Sequence, residues 1–507
     1  MTQQTWTAGD TGAAIRTIID DNFSELYQRD AAGYGFAPSA TAAVNVAAMQ
    51  AALDVGGIIT VNTPGTYELN DTLKIGSNTK LICCPGVIFK KTGNYSNVLI
   101  NKGSETRTYN ENIEIDGLTI EVNEISNIID LDVAGLRAQV GFYYVKHLVF
   151  KNFKCEDIYG SQFCIQMARW EDVYFNNITI KGDKDGIDLG VGNNGLFENV
   201  NLTTYDDGIA LYGAGFPSAT IEVGDVYDLT FRNCTDYVHS GVGYTCRMMT
   251  GSWDDWTNGN TYKTGDLCTN VGSIYISNND TGFSAVAANA PVHSSGEVTG
   301  ADDGITWKYC NDDSIKSYNI YNITFDNLTC YDVRAVIDVT FLDGIWMRSV
   351  YPGTENVPYV KDIKLINSVI KGPAYIANAK GNWKSLTIAN CVLVDLNEII
   401  RTTDVYADSN DEFKIVFTGN TIRDTTGTLI SSTKDGQLIY MVASGNVLDN
   451  SAPILWTTGT ATIRLINTDM QIPHVELSDI TPTVGDICMT SAGFNVYKSA
   501  GWVNLAV

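Results

Sequence analysis

The sequence predicts an all-β solenoid, a right-handed single-stranded parallel β-helix, and three observations carry that expectation. A phrase of alternating apolar residues closed by Asn recurs along the chain. Its copies fall at intervals in the low twenties, and an Asp-Gly repeat returns at the same interval. The phrase reads Val173-Tyr174-Phe175-Asn176-Asn177, then Leu196-Phe197-Glu198-Asn199, Leu229-Thr230-Phe231-Arg232-Asn233 and Ile323-Thr324-Phe325-Asp326-Asn327. Later copies end at Asn367, Asn390, Asn420 and Asn446.

The spacing decides what the copies mean. Asn152 to Asn177 is 25 residues, Asn177 to Asn199 is 22 and Asn367 to Asn390 is 23. One coil of a β-solenoid, with two or three short strands, has such a period, and the longer gaps read as insertions at one corner. A leucine-rich repeat shares the period, but its Leu-x-Leu frame and helix are missing. The asparagines suit turns that tolerate left-handed backbone, and stacked amides can hydrogen-bond between coils. Asn177, Asn233 and Asn327 also stand in sequons, where the ladder is the preferred reading.

Composition narrows the function classes. The 507 residues are 44% hydrophobic and 18% charged, as in globular proteins. With 33 basic against 58 acidic residues, the net charge of −25 argues against general nucleic-acid binding and against anionic membranes. A polymer bound in a local groove stays open. No apolar run of about 18 residues predicts a membrane span. The start, Met1 to Trp6, has neither the basic nor the apolar part of a secretory leader. The 11 cysteines lack metal or disulfide spacing and read as buried thiols made in a reducing compartment.

Four segments follow. Residues 1–35 hold a predicted helix, Ala13 to Arg29, with Ile15, Ile19, Asn22 and Leu26 at 4–3–4 spacing. It is either a short coiled-coil seam or a helix packed on the body. Residues 36–470 form the β-helix, opened by a capping helix over 41–54 that has Val46, Met49 and Leu53 on one face and Gly56-Gly57 as its stop. An insert spans 253–309, and a small β module ends the chain over 471–507.

Chemistry concentrates in one repeat. Asp185-Gly186-Ile187-Asp188-Leu189 returns as Asp207-Gly208-Ile209-Ala210-Leu211, offset by 22, so Asp185 and Asp207 belong to neighbouring coils. Stacked strands lie about 4.8 Å apart, so two such carboxylates repel unless one holds a proton or they share a cation. Asp206 adds a third carboxyl, which reaches the same site only if the backbone bends beside Gly208. Such a trio serves glycoside hydrolysis, one carboxyl protonating the leaving oxygen while others activate water. It is equally the pattern of an outward Asp ladder at Asp-Gly turns.

The segment from Asn176 to about Arg247 resembles the polygalacturonase-type glycoside hydrolases of family 28. Their motifs run Asn-Thr-Asp-Gly, Gly-Asp-Asp, Gly-His-Gly and Arg-Ile-Lys. Asp183-Lys184-Asp185-Gly186, Tyr205-Asp206-Asp207-Gly208 and Val238-His239-Ser240-Gly241 match the first three in part. The resemblance implies Asp206 as general acid, Asp185 and Asp207 as bases, His239 as a supporting group, and inversion with acid and base about 6.5–9.5 Å apart. For the fourth motif Arg247 and Arg334 are the candidate cations, and neither has lysine two residues on.

Ile58 to Pro85 resembles the opening coils of the pectate-lyase superfamily, through Thr63-Pro64-Gly65-Thr66-Tyr67 and Ser77-Asn78-Thr79-Lys80-Leu81. The insert's Trp253, Trp256, Tyr262, Tyr275 and Trp307 look like a chitin-binding-type module, whose rings would stack on sugar beside the groove or form its own core. Ile15 to Tyr27 resembles N-terminal segments of phage tail proteins, and Pro482 to Val507 resembles terminal modules of phage fibres. These ends imply a homotrimer joined to a baseplate or tail protein through its N-terminus, with the virion tail as its location and a polysaccharide as partner. No cofactor or metal is expected. Ca²⁺ on the aspartates, as in a uronate lyase, ranks second for want of a dependable proton acceptor, and a non-catalytic adhesin is the third reading.

Overall fold

The computed structural model describes residues 28–126, 133, 135–214, 220–237, 243–262, 264–278, 285–311, 317–341, 358–373, 375–379, 382–402, 412–425, 428–432, 437–449, 454–457, 462–466, 487–490, 493–498 and 501–505. The chain winds as a parallel β-helix in which three strands per coil build three long sheets. In the first, Phe150, Phe175, Phe197, Phe231 and Phe325 are successive register partners. In the second, Cys155, Ile180, Leu202, Asp236, Cys330 and Ile370 stack. In the third, Ile165, Ile187, Ile209, Cys246, Ile337 and Ala377 do so.

Alternation of apolar and polar residues explains which way each side chain points. Every second residue of a strand faces the interior. The recurrent aromatic thus becomes a ladder, with ring centroids 4.8 Å apart for Phe175–Phe197 and Phe197–Phe231 and 5.2 Å for Phe231–Phe325. The predicted asparagine turns are present. Asn177, Asn199, Asn233 and Asn327 take φ between 54° and 58°, and the Asn177 amide donates to Asn152 at 2.7 Å as Asn327 does to Asn233 at 2.8 Å. Near the end of the solenoid Gly419 and Gly445 take the left-handed position instead. Asn420 and Asn446 then turn inward, bonded to each other at 2.9 Å.

The helix Ala42–Val55 closes the first coil, with Met49 and Leu53 buried, Val46 packed against the core and Gly56 turning the chain out at φ 70°. Gln28 and Arg29, expected as the end of the N-terminal helix, are instead part of a first strand, Gln28–Asp30, which pairs in parallel with Gly57–Val61. The rest of the segment predicted as that helix lies outside the described residues. The cysteines from Cys83 to Cys391 are free, and all but Cys84 are buried. Toward the C-terminus, Ile487–Thr490, Gly493–Lys498 and Gly501–Leu505 form an antiparallel meander.

The insert leaves the third sheet at the end of Tyr244–Ser252 and returns at Ser317–Tyr318. It contains a five-stranded sheet and a two-stranded one. Lys308 and Asn311 tie it to the carbonyls of Thr220 and Val223 at 2.6 and 3.2 Å.

Truncating the middle of the ring ladder should be costly. Phe197→Ala is expected to lower unfolding stability by about 3–5 kcal/mol, and Phe197→Leu by less than about 1.5 kcal/mol. Guanidinium midpoints measure both, and an alanine effect under about 0.5 kcal/mol would contradict the stacked interior.

Candidate active site

The turn joining the second sheet to the third carries the aspartates. Register puts Ile187 on Ile209 and Gly182 on Thr204, so Lys184 stacks on Asp206 and Asp185 on Asp207. Backbone bonds hold the stack: the Gly186 amide donates to the Asp207 carbonyl at 3.0 Å, and the Gly208 amide to Tyr244 at 2.8 Å. Gly186 is required by close approach, since a Cβ there would lie 2.6 Å from the Gly208 carbonyl. The backbone bends at Tyr205 and Asp206, which lets both Asp206 and Asp207 face one site. Asp185, Asp206 and Asp207 each offer an oxygen to a group lying within 4.8 Å. That is tighter than the 6.5–9.5 Å expected for an inverting pair, and two intervening cations explain how the carboxylates come so close.

Lys184 is the first cation. It donates to Asp206 and stands 3.3 Å from Asp185. Arg247 is the second, 3.3 Å from Asp207 and 4.0 Å from the buried Asp338. Burial pulls the Lys184 ammonium down, but the charges of Asp185 and Asp206 outweigh it and the net shift is upward. The Arg247 guanidinium behaves likewise between Asp207 and Asp338. Burial pushes the Asp185 carboxyl up against the pull of Lys184, and Asp207 up further against Arg247. Behind them Asp188 is fully buried and pushed well up by burial and by Asp185; Tyr212 donates to it at 3.4 Å.

Both candidate arginines converge on Tyr244, whose ring centroid lies 5.2 Å from the Arg247 guanidinium and 5.4 Å from that of Arg334. Arg334 itself is exposed. Sequence reasoning passed over Lys184, Tyr244 and Asp338. The 22-residue offset that paired Asp185 with Asp207 also pairs Lys184 with Asp206, so that signal was present. His239 lies outside the described residues.

The three carboxylates have the donor set for a divalent cation. Lys184 and Arg247 already occupy its electrostatic place, so a cation entering there would have to displace both.

Four of the five aromatics singled out in the insert form its core rather than an open sugar platform. Trp253, Tyr262, Tyr275 and Trp307 are buried, with Tyr262 edge-on to Trp307 at 4.9 Å and the Tyr275 hydroxyl donating to the His293 carbonyl at 2.8 Å. A sheet this small has few apolar residues, so its largest rings become its core. Trp256 is half-buried against the same cluster.

No family model and no curated protein matches the chain. Its fold, a long parallel β-helix, is nevertheless shared with solved structures. It is similar to an exopolygalacturonase from Thermotoga maritima, with a TM-score of 0.50 at 12% identity over 83% of this chain and 91% of that one. A family 28 exopolygalacturonase from Yersinia enterocolitica gives 0.47 at 11% identity, over 87% and 79%. Tailspike protein 3 of bacteriophage CBA120 gives 0.44 at 12%, over 99% and 72%. At such identity the likeness is one of fold.

Under the aspartate turn, Asp236 faces the solenoid interior and burial pushes its carboxyl up to about 7, with the Thr245 side chain opposing. A carboxyl raised from 3.8 binds its proton more tightly folded than unfolded. The stability this contributes is complete below about pH 4 and is lost as pH rises to about 7, roughly 4 kcal/mol in all. Asp236→Asn should flatten that slope, seen by comparing chemical unfolding at pH 4.5 and 7.5; an unchanged slope would place the titration elsewhere.

Proposed function

We propose that this chain is a phage tailspike depolymerase that hydrolyses glycosidic bonds within a bacterial surface or extracellular polysaccharide. One observation carries the reading. Asp185, Asp206 and Asp207, from two adjacent turns, converge within 4.8 Å on the flank of a parallel β-helix, with two of the three raised by burial. Of three carboxyls so close together, one can give a proton to a leaving oxygen while the others position and activate water. In the assignment implied by the family 28 likeness, Asp206 is the acid and Asp185 and Asp207 are the bases. Asp206 can act so only when an entering sugar separates it from Lys184. Arg247 and Arg334, flanking Tyr244, then contact the substrate on the other side. The likeness of residues 15–27 and 482–507 to phage tail segments supports a virion-attached homotrimer.

A second reading, binding without cutting, is favoured by the Lys184–Asp206 pair, which neutralises the would-be acid. Sizing the products of a panel of bacterial polysaccharides separates the two. The parent protein should shorten one of them, and Asp206→Asn should lose on the order of 10³-fold or more of that activity while still binding. Equal rates for the two proteins would remove Asp206 from the mechanism. Proton NMR of the first-formed reducing end should show the inverted anomer that the family 28 likeness implies, once an entering sugar has parted the carboxyls. Retention, which the close spacing would fit, would overturn inversion, and new near-ultraviolet absorbance of an unsaturated ring would replace hydrolysis by a lyase reaction. Light scattering should give three times 55.2 kDa.

A further inference from the structure

A cavity of about 530 Å³ opens beside the aspartates. Two tyrosines line it, Tyr159 and Tyr205, and they are 43% and 47% exposed, unlike the insert's buried rings. Its charged lining is five carboxylates, Glu121, Glu124, Glu156, Asp157 and Asp183, and one cation, Lys181. The cavity and the aspartate cluster are contiguous along the chain. Asp183 precedes Lys184-Asp185 and Tyr205 precedes Asp206-Asp207, at roughly 3.5 Å per residue.

We infer that this cavity is a subsite for a sugar ring that carries no carboxylate, best an amino sugar, seated on Tyr159 and Tyr205 while the neighbouring ring lies over the aspartates. The inference rests on the reading of those aspartates as a glycan site and adds the class of sugar beside them. An exposed aromatic face in a polar cavity suits the CH face of a pyranose. Charge then selects the ring. Asp157 is used by the fold, taking the amides of Val122 and Asn123 at 2.8–2.9 Å, and Lys90 and Lys154 lie 3.3 and 2.5 Å from Glu121 and Glu156. Glu124 and Asp183 have no ion pair among the described residues and remain to meet a ligand. A uronate here would meet like charge, whereas an ammonium would be attracted. Cations that could greet a uronate stand on the other side of the cluster, at Arg247 and Arg334.

Binding is tested apart from cleavage by using Asp206→Asn protein, with calorimetric titration of tetrasaccharides of glucosamine, N-acetylglucosamine and galacturonate. The glucosamine probe should bind tightest and weaken with salt, the neutral probe should follow, and galacturonate should be at least about tenfold weaker. Tyr205→Ala and Tyr159→Ala should each weaken the first two by about tenfold without shifting the thermal midpoint, since both rings are exposed. Galacturonate binding as tightly as the others, affinity indifferent to both tyrosines, or no binding by glucosamine and its acetylated form each overturn the subsite. If the probes bind as expected but no polysaccharide is shortened by the parent protein, the hydrolase reading fails and the subsite stands.

Discussion

Everything in this molecule hangs on the in-register stacking of one coil on the next. Parallel strands bond every backbone amide to the adjacent coil, so an insertion can be absorbed only where the strands stop. The third sheet makes this visible. Its partners step by 22 residues from Ile187 to Ile209, by 37 to Cys246 and by 91 to Ile337, yet the row of inward side chains is unbroken. Extra length is expelled at the corners, as the insert that leaves after Ser252. The aspartate turn inherits its geometry from the same constraint, because residues equivalent by register must lie one above another.

That inheritance creates an electrostatic problem. Stacking Asp185 on Asp207 buries two like charges at a strand spacing, and loss of water is the largest cause of the upward shift in both. Lys184 and Arg247 offset it from opposite ends. Each cation is itself raised by the acids it serves, so the cluster is a balanced network rather than a set of independent groups. Chemistry at such a site requires the balance to be broken by the incoming substrate, and the half-buried pair Lys184–Asp206 is where a ligand can reach it.

How far the sequence discloses this depends on distance along the chain. The ring ladder and asparagine turns are legible because each copy is local and repeats. The pairing of Asp185 with Asp207 is legible because one uninterrupted coil separates them. Lys184 obeys the same offset, but a lysine between two aspartates reads as a solvated surface charge until register puts it on Asp206. Asp338 is not legible at all: it stacks on Arg247 across the insert. The insert's aromatics mislead for a different reason. Spacing identifies rings that belong together, but only packing tells whether their faces meet sugar or one another.

A fold this permissive explains why resemblance at 12% identity carries architecture without chemistry. The interior asks only for apolar volume in register, so the scaffold survives almost complete replacement, while function rests on a few turn residues. Here Asp185, Asp206 and Asp207 resemble the aspartates of the family 28 motifs, and the cations around them differ from that pattern. Where that pattern has threonine, Lys184 stands inside the cluster, and the lysine expected two residues after an arginine is missing beside both Arg247 and Arg334. A carboxylated sugar would therefore have to compete with Asp206 for Lys184 and with Asp207 and Asp338 for Arg247. Exposed Arg334 is the cation least committed to the cluster. The aspartates can match that pattern while the cations do not, because Lys184 and Arg247 are engaged by the protein's own carboxylates.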